Sequence, residues 1–301
     1  MFCVLKPLFF RYLGDRKFVT MKVFLGCLLG LALTGPLEAQ FLYKDLVVTR
    51  QNNARWKVFE ENKVRAVTLK SLEADGRPTE GFVGDQELSN DYSQMVTHTK
   101  TAGSTDSWNI TQYVNGRMVR NLDTSDTYQS ETKYEYDAEG HILSIINTSI
   151  ETDNQVKAEE RHVWGYDPAH PGKPVSMLKI KNGTDTTYVR FVSDEKGNIV
   201  EERSKRLGAD LPTIYYYYDD NHLMTDIVRY SPRAKRLLPL TIFEYEEGRV
   251  KSMLVVPEEG NSFYQKWYYT YDEEKGLKTK DQCFNKQKEL LGTIEYVYGY
   301  K

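Results

Sequence analysis

Five histidines, a lone cysteine beyond the N-terminal region, a dense set of carboxylates and one basic cluster are the residues with which this chain could do chemistry. His98, His141, His162, His170 and His222 stand at no metal-ligand spacing from one another or from Cys283, so no zinc site is expected. Asp137, Asp194, Asp219, Glu246 and Asp272 sit beside turn residues, where a carboxylate caps backbone amides. His141 and His222 follow such turns and read as exposed. A glycosidase needs two convergent carboxylates, and the sequence singles out no pair. The acidic stretches "DTSDTYQSE" and "NGTDTT" lack the ordered ligand loop of a calcium site. No phosphate-binding glycine loop or nucleophile elbow occurs. Cys283 reads as a small buried hydrophobe. No catalytic residue, metal or cofactor is expected.

Two stretches carry weaker binding signals. "RYSPRAKRLLP" gathers Arg229, Arg233, Lys235 and Arg236; it either meets an anionic head group or glycan, or is a solvated loop between hairpin arms. "YYYY" sets Tyr215 and Tyr217 on one face of a strand and Tyr216 and Tyr218 on the other. Exposed, the second face would stack on sugar rings; covered by a curled sheet, it is core, and the core reading is favoured.

The bulk composition bounds these options. The chain has 301 residues, 40% hydrophobic and 28% charged, enough for one large or two modest globular domains. A net charge of -3 offers no footprint for nucleic acid. "MKVFLGCLLGLALTGPLEAQ" has the basic start, short apolar run and small residue of a secretory signal, with a cut expected between Ala39 and Gln40 and residues 1–20 as an upstream extension. The run is too short to span a bilayer. Residues 1–39 carry Lys6, Arg11, Arg16, Lys17 and Lys22 against Asp15 and Glu38, which leaves 35 basic and 41 acidic side chains, a net of -6, in residues 40–301. That mature chain has no transmembrane segment and, with Cys283 its single cysteine, no intramolecular disulfide. Export to the periplasm, outer-membrane surface or medium is expected.

The elements that must position these residues announce themselves by repetition. "FEENKV", "YVNGRM", "YDAEGHI", "YDPAHPGKPV", "SDEKGNI", "YDDNHL", "YEEGRV" and "YDEEKGL" are copies of one phrase, and from Tyr136 onward the steps are 30, 27, 25, 27 and 26 residues. Four copies have central pairs Glu61-Asn62, Asn115-Gly116, Asp220-Asn221 and Glu247-Gly248, and two-residue hairpin loops favour Asn or Gly there because both centres take positive φ. Gly140 and Gly197 close three-residue loops, and Gly276 falls one position later. Tyr134 and Tyr136, Tyr216 and Tyr218, and Tyr269 and Tyr271 share a face at period two. With 22 Tyr and 12 Phe, strands are expected throughout, including across "ARWKVFEENKVRAVTLKSLEA". The fold class is all-β: one domain, residues 40–301, a long antiparallel meander of hairpins. Accumulated twist must curl it into an open trough or a barrel.

"YEYDAEGHI", "YYYYDDNHL", "FEYEEGRV" and "YYTYDEEKGL" resemble the tyrosine-aspartate (YD) repeats of Rhs and teneurin-type proteins, over roughly Tyr134 to Tyr298. The resemblance implies β-hairpins; the chain is too short to enclose a cargo domain as the large members do. It is also similar to short exported cell-envelope proteins of Bacteroides-type bacteria. Three functions remain open: a noncatalytic envelope module binding a glycan, peptide or protein; a lipid carrier with a half-barrel cavity; and a polysaccharide hydrolase. The first would show a solvated aromatic strip on the concave face, the second an apolar cavity, the third convergent carboxylates of perturbed pKa.

Overall fold

The computed structural model describes residues 41–125, 128–153, 155–231, 234–256 and 264–300. Arg233 and the expected signal segment with its cut site lie outside them. The described chain is one helix followed by nineteen strand segments. The helix α1 is Lys44–Glu61. The strands are β1 (Val64–Glu73), β2 (Val83–Leu88), β3 (Gln94–Lys100), β4 (Ser107–Val114), β5 (Arg117–Thr124), β6 (Tyr128–Tyr136), β7 (Ile142–Glu151), β8 (Lys157–Tyr166), β9 (Pro174–Lys181) and β10 (Asp185–Ser193). They continue with β11 (Ile199–Arg206), β12 (Ala209–Asp210), β13 (Ile214–Tyr218), β14 (Met224–Ser231), β15 (Arg236–Glu246), β16 (Arg249–Val255), β17 (Gln265–Tyr271), β18 (Lys278–Phe284) and β19 (Leu290–Tyr300).

Except for β12 with β13, each strand pairs antiparallel with its sequence neighbour, and β19 returns to β1 from Val64↔Tyr300 to Glu73↔Gly292. β12 and β13 both pair with β11 and share one place in the ring. The result is a closed antiparallel barrel of eighteen staves. Closure leaves no sheet edge to be guarded. In barrels of this strand number the inward side chains generally do not fill the interior.

The repeated phrase builds one end of the barrel, called here the phrase end. In seven hairpins the register slips by one residue just inside the turn, at Tyr113, Tyr136, Tyr166, Ser193, Tyr218, Tyr245 and Tyr271. Each slip is a β-bulge in the returning strand, which frees a backbone carbonyl from the ladder. A tyrosine hydroxyl of the next hairpin meets it. Tyr136 donates to Met118 O at 2.6 Å, Tyr166 to Ile142 O at 2.8 Å and Tyr218 to Ile199 O at 2.8 Å. Tyr245 donates to Met224 O at 2.8 Å, Tyr271 to Val250 O at 3.1 Å and Tyr298 to Lys278 O at 2.6 Å. The aromatics of the phrase therefore stitch successive hairpins together, beyond pairing within a ladder. The aspartate closes the loop. Asp137 Oδ1 accepts from Gly140 N and His141 N, Asp194 Oδ1 from Asn198 N, and Asp219 Oδ1 from Asn221 N and Leu223 N. Asp272 Oδ1 likewise accepts from the Glu274 and Lys275 amides.

The turns sort less simply than their spacing. Asn115-Gly116 and Glu247-Gly248 have both centres at positive φ, and Gly140, Gly197 and Gly276 take φ of +94°, +88° and +65°. Asp220-Asn221 does not form a two-residue loop. The loop runs from Asp219 to Leu223, with His222 in the left-handed position at φ +62°. Asn62 closes no hairpin at all. It caps the C-terminus of α1, its Nδ2 donating to Val58 O at 2.9 Å and to Lys275 O at 3.1 Å. The strand expected across "ARWKVFEENK" is therefore a helix.

The reason is its surroundings. α1 crosses the phrase end inside the ring, so wall faces it from opposite sides. Tyr43 packs on Phe191 and Tyr216, Trp56 stacks on Tyr113 at 3.9 Å, and Phe59 meets Tyr298. Asn53 Oδ1 accepts from Met118 N at 3.0 Å. α1 is held at separate points, with Arg50, Gln51, Ala54, Arg55, Lys57 and Glu60 exposed between them, so it needs no continuous apolar stripe and the sequence lacks the helical period that would have revealed it.

Removing one stitching hydroxyl isolates its contribution. Tyr245→Phe leaves the Met224 carbonyl without its partner and is expected to cost about 1–3 kcal/mol. Tyr188→Phe, on an exposed outward ring, should change stability by less than about 0.5 kcal/mol. Urea unfolding of the two variants checks the difference; equal midpoints would refute the stitching role.

Candidate functional site

The two faces of the wall differ in chemistry because strand side chains alternate. Outward residues mix apolar groups such as Trp108, Tyr188 and Val297 with paired charges: Arg120 with Glu131 at 2.6 Å and Lys266 with Glu244 at 2.9 Å across strands, Lys133 with Glu131 at 3.2 Å within β6, and Lys100 with Asp106 at 3.1 Å. On a lipid-facing wall each such Arg or Lys would cost about 2–4 kcal/mol near the bilayer centre. No helix among the described residues is long and apolar enough to cross a membrane.

Trp108, Tyr188 and Tyr268 are exposed aromatics on the outer wall, and β13 and β14 gather several more. On β13, Tyr217 is 48% exposed and Tyr215 half-buried, and on β14 Tyr230 is 45% exposed. Register places Tyr215 beside Val228 and Pro239, Tyr217 beside Asp226, and Tyr230 beside Leu237. Glu201 of β11, paired with Tyr215, holds Arg203 at 2.7 Å on the strip's flank. The barrel does not cover this second face of "YYYY", contrary to the sequence expectation. The strip lies on the convex wall because the concave one is occupied by α1.

The inner face has two zones. At the phrase end, Leu42, Ile142, Trp164, Met177, Phe191, Ile199, Tyr216 and Ile227 form an apolar core around the start of α1. Toward the opposite mouth the inner wall is polar. Asn109 and Asn121 bond reciprocally at 3.0 and 2.9 Å, and Asn147 donates to Ser130 and Thr132 at 2.8 Å. On β8 to β11 the inner residues are Glu160, His162, Lys179, Lys181, Asp185, Thr187 and Arg206.

Two buried groups fasten α1 between these zones. Glu202 takes the helix N-terminus: Oε2 accepts from Leu42 N at 2.8 Å, Tyr43 N at 2.9 Å and Tyr216 Oη at 2.7 Å. Burial pushes this carboxyl up, and those three donors oppose the shift. Tyr43 offers no side-chain cap of its own, so the barrel supplies one. Asp45 in the first turn accepts from His162 Nδ1 at 2.5 Å, and Glu160 faces His162 Nε2 at 2.8 Å. Burial opposes the imidazolium, but the Asp45 and Glu160 carboxylates outweigh it and raise His162 to about 9. Glu160 is held at about 2: burial works against its charge, and His162 and Lys179 overcome that.

The remaining sequence candidates scatter. Arg229 lies on the inner face of β14 beside Ile214, Lys235 is in the β14–β15 turn at φ +50°, and Arg236 begins β15 as an exposed residue. They form no common basic face. Asp137, Glu139 and His141 offer ligand atoms within 4.8 Å of one another, but Asp137 already accepts from two turn amides and from His141 Nδ1. Glu202 is sealed from water and committed to the helix. A cavity of about 360 Å³ beside Phe82, between β1, β2 and their connection, includes Lys70 and Asp85 in its lining and is no acyl-chain pocket. Sequence reading missed Glu202 and His162 because each matters only through a contact more than a hundred residues away.

No family model and no curated protein matches the chain. Among solved structures it is similar to a porin-like protein from Bacteroides uniformis (10% identity, TM-score 0.38, covering 78% of this chain and 98% of that one). It is also similar to a porin-like protein from Bacteroides vulgatus (12%, TM-score 0.29, covering 78% and 98%). A third, from the DUF3598 family of Nostoc punctiforme, matches at 10% identity and TM-score 0.15, covering 82% and 99%. TM-scores this low leave no equivalence of residues or activity to carry across.

The His162–Asp45 clamp makes stability depend on pH with a definite sign. The folded protein holds the proton up to about 9, whereas the free side chain releases it near 6.5. The contribution is complete below pH 6.5 and disappears as pH rises through 9. Melting temperature is expected to fall between pH 7 and 9.5 in the natural protein and to fall less in His162→Asn. Parallel curves would refute the assignment.

Proposed function

We propose that the protein is an exported, noncatalytic binding module of the cell envelope, which holds a glycan on the outward tyrosines of β13 and β14. The observation that carries this reading is the strip of Tyr215, Tyr217 and Tyr230, three tyrosines brought together on two adjacent strands of the outer wall. Broad ring faces stack on the CH faces of a sugar, and Asp226 beside Tyr217 and Glu201 beside Tyr215 offer acceptors for its hydroxyls. The secretory signal read from Met21 to Ala39 supports export. The outward charges of Arg120, Lys133 and Lys266 favour a water-filled compartment or the membrane's surface over its interior. A lipid-carrier role is disfavoured by the polar lining beyond the helix, and a hydrolase role by the commitment of Glu202 and Asp45 to structural contacts.

We further propose kinship with YD-repeat proteins. The hydroxyl-to-carbonyl bonds between successive hairpins support it, and absence of that bond from solved YD-repeat shells would count against it.

A glycan array probed with the mature chain tests the binding reading. One saccharide class is expected to bind, and Tyr217→Ala together with Tyr230→Ala should weaken it at least about tenfold, the loss of roughly 1.4 kcal/mol. Retention of full affinity by the double variant would refute the strip as the site. Glycan hydrolysis abolished by a single Asp or Glu substitution would refute the noncatalytic reading.

A further inference from the structure

The hairpin between β11 and β12 breaks a local rule that the other tight turns keep. Arg206 pairs with Ala209, so Leu207 and Gly208 form a two-residue turn with φ of +51° and +80°. Asn115-Gly116, Asn182-Gly183 and Glu247-Gly248 also have both residues at positive φ, each with a polar residue first. Of the ten non-glycine residues at positive φ among the described ones, Leu207 is the single aliphatic. That conformation crowds the Cβ of a leucine, and asparagine or glycine tolerates it better. Burial returns nothing to the fold, because Leu207 is 87% exposed.

The turn opens a lobe at the mouth opposite the phrase end. β12 pairs with Lys205 and Arg206 of β11, and the ring resumes at β13, where Ile214 meets Glu202. Between them residues 207–212 are all exposed, so Leu211 lies bare beside the tip. Across the short stave of β13, the β14–β15 hairpin of the same mouth exposes Lys235, Arg236 and Leu237. At the lobe each cation has a carboxylate: Lys205 lies 3.5 Å from Asp210, Arg203 bonds Glu201 at 2.7 Å and Arg206 bonds Asp185 at 2.9 Å. Lys235 and Arg236 add positive charge to that balanced set, since residues 231–237 hold no carboxylate.

We propose that these two hairpins dock the barrel on a lipid surface bearing anionic head groups, with the mouth opposite the phrase end turned toward it. Leu207 enters the boundary between head groups and acyl chains, Leu211 and Leu237 follow at its sides, and Lys235 and Arg236 meet lipid phosphates. Aliphatic side chains on separate tips suit a deformable apolar medium. They offer no flat ring to a sugar and no continuous face to a rigid protein. Asparagine at position 207 would relax the turn and leave the tip nothing to insert. The docking surface does not rest on the glycan reading and uses neither Tyr217 nor Tyr230.

Flotation of the mature chain at low ionic strength tests this, with vesicles of phosphatidylcholine alone and of phosphatidylcholine mixed with phosphatidylglycerol. Saturable co-flotation with the mixed vesicles is expected, and weaker co-flotation with the neutral ones. Leu207→Asn should weaken binding to the mixed vesicles about tenfold, a loss of roughly 1.4 kcal/mol. Its melting temperature should stay level or rise, because asparagine suits the turn. Lys235→Gln should weaken binding about fivefold, a loss of roughly 1 kcal/mol. Val114→Ser, at an exposed aliphatic of the phrase end, should float as the natural protein does. No co-flotation, equal affinity in Leu207→Asn or Lys235→Gln, equal binding to both vesicles, or an equal loss in Val114→Ser would overturn the proposal. A lowered melting temperature in Leu207→Asn would overturn it too, since the leucine would then serve the fold. So would a dimer in sedimentation velocity that Leu207→Asn dissolves, since the lobe would then seat a second copy of the chain.

Discussion

The barrel depends on the bond between a tyrosine hydroxyl and the carbonyl that a bulge sets free in the preceding hairpin. A wall of two-stranded hairpins has no intrinsic reason to hold one curvature, and each bulge adds twist at the same height. The hydroxyl satisfies a carbonyl that would otherwise sit unpaired against an apolar core. Because the same bond recurs from Tyr136 to Tyr298, each hairpin fixes the angle of the next. Ser193 stands where a ring is expected and cannot reach; there the wall relies on the ladder between β9 and β10 and on the Trp164–Phe191 stack.

Closure creates a second requirement. Eighteen staves generally enclose more space than inward side chains fill, and one end must be covered if the apolar inner residues are to leave water. α1 meets that need by lying across the phrase end. It is polar along much of its length, so it cannot be retained by a single greasy face. Glu202 at its first amides, His162 at Asp45, the Trp56–Tyr113 stack and the Asn62–Lys275 contact at its end hold it instead.

The alternation of side chains then divides the protein by medium. Outward, charges paired across strands alternate with apolar and aromatic groups, among them the tyrosines of β13 and β14. Inward, the lining passes from apolar to amide and hydroxyl and then to charge toward the open mouth. A wide barrel lets both surfaces meet solvent, so each can carry recognition without disturbing the ladder between them.

Much of this was legible in the residues. The spacing of "YDAEGHI" and its copies specified hairpins, their order and the capping role of Asp137, Asp194, Asp219 and Asp272, because those are local backbone effects. Asn115-Gly116 and Glu247-Gly248 were legible for the same reason; Asp220-Asn221 was not, since the left-handed position passed to His222 through the bulge in the returning strand. That Tyr215 and Tyr217 share one face followed from period two, but that this face is the outer, exposed one did not, because it depends on which side of the wall the helix takes. α1 itself was hidden: it is held at a few separate contacts and not by an apolar stripe, and "FEENKV" imitates a turn. Whether the meander stops as a trough or closes from Tyr300 onto Val64 was likewise undecided in the sequence. Local pairing rules set the strands; only the accumulated twist of eighteen of them, and the helix that fills the end, decided the barrel and the charged wall inside it.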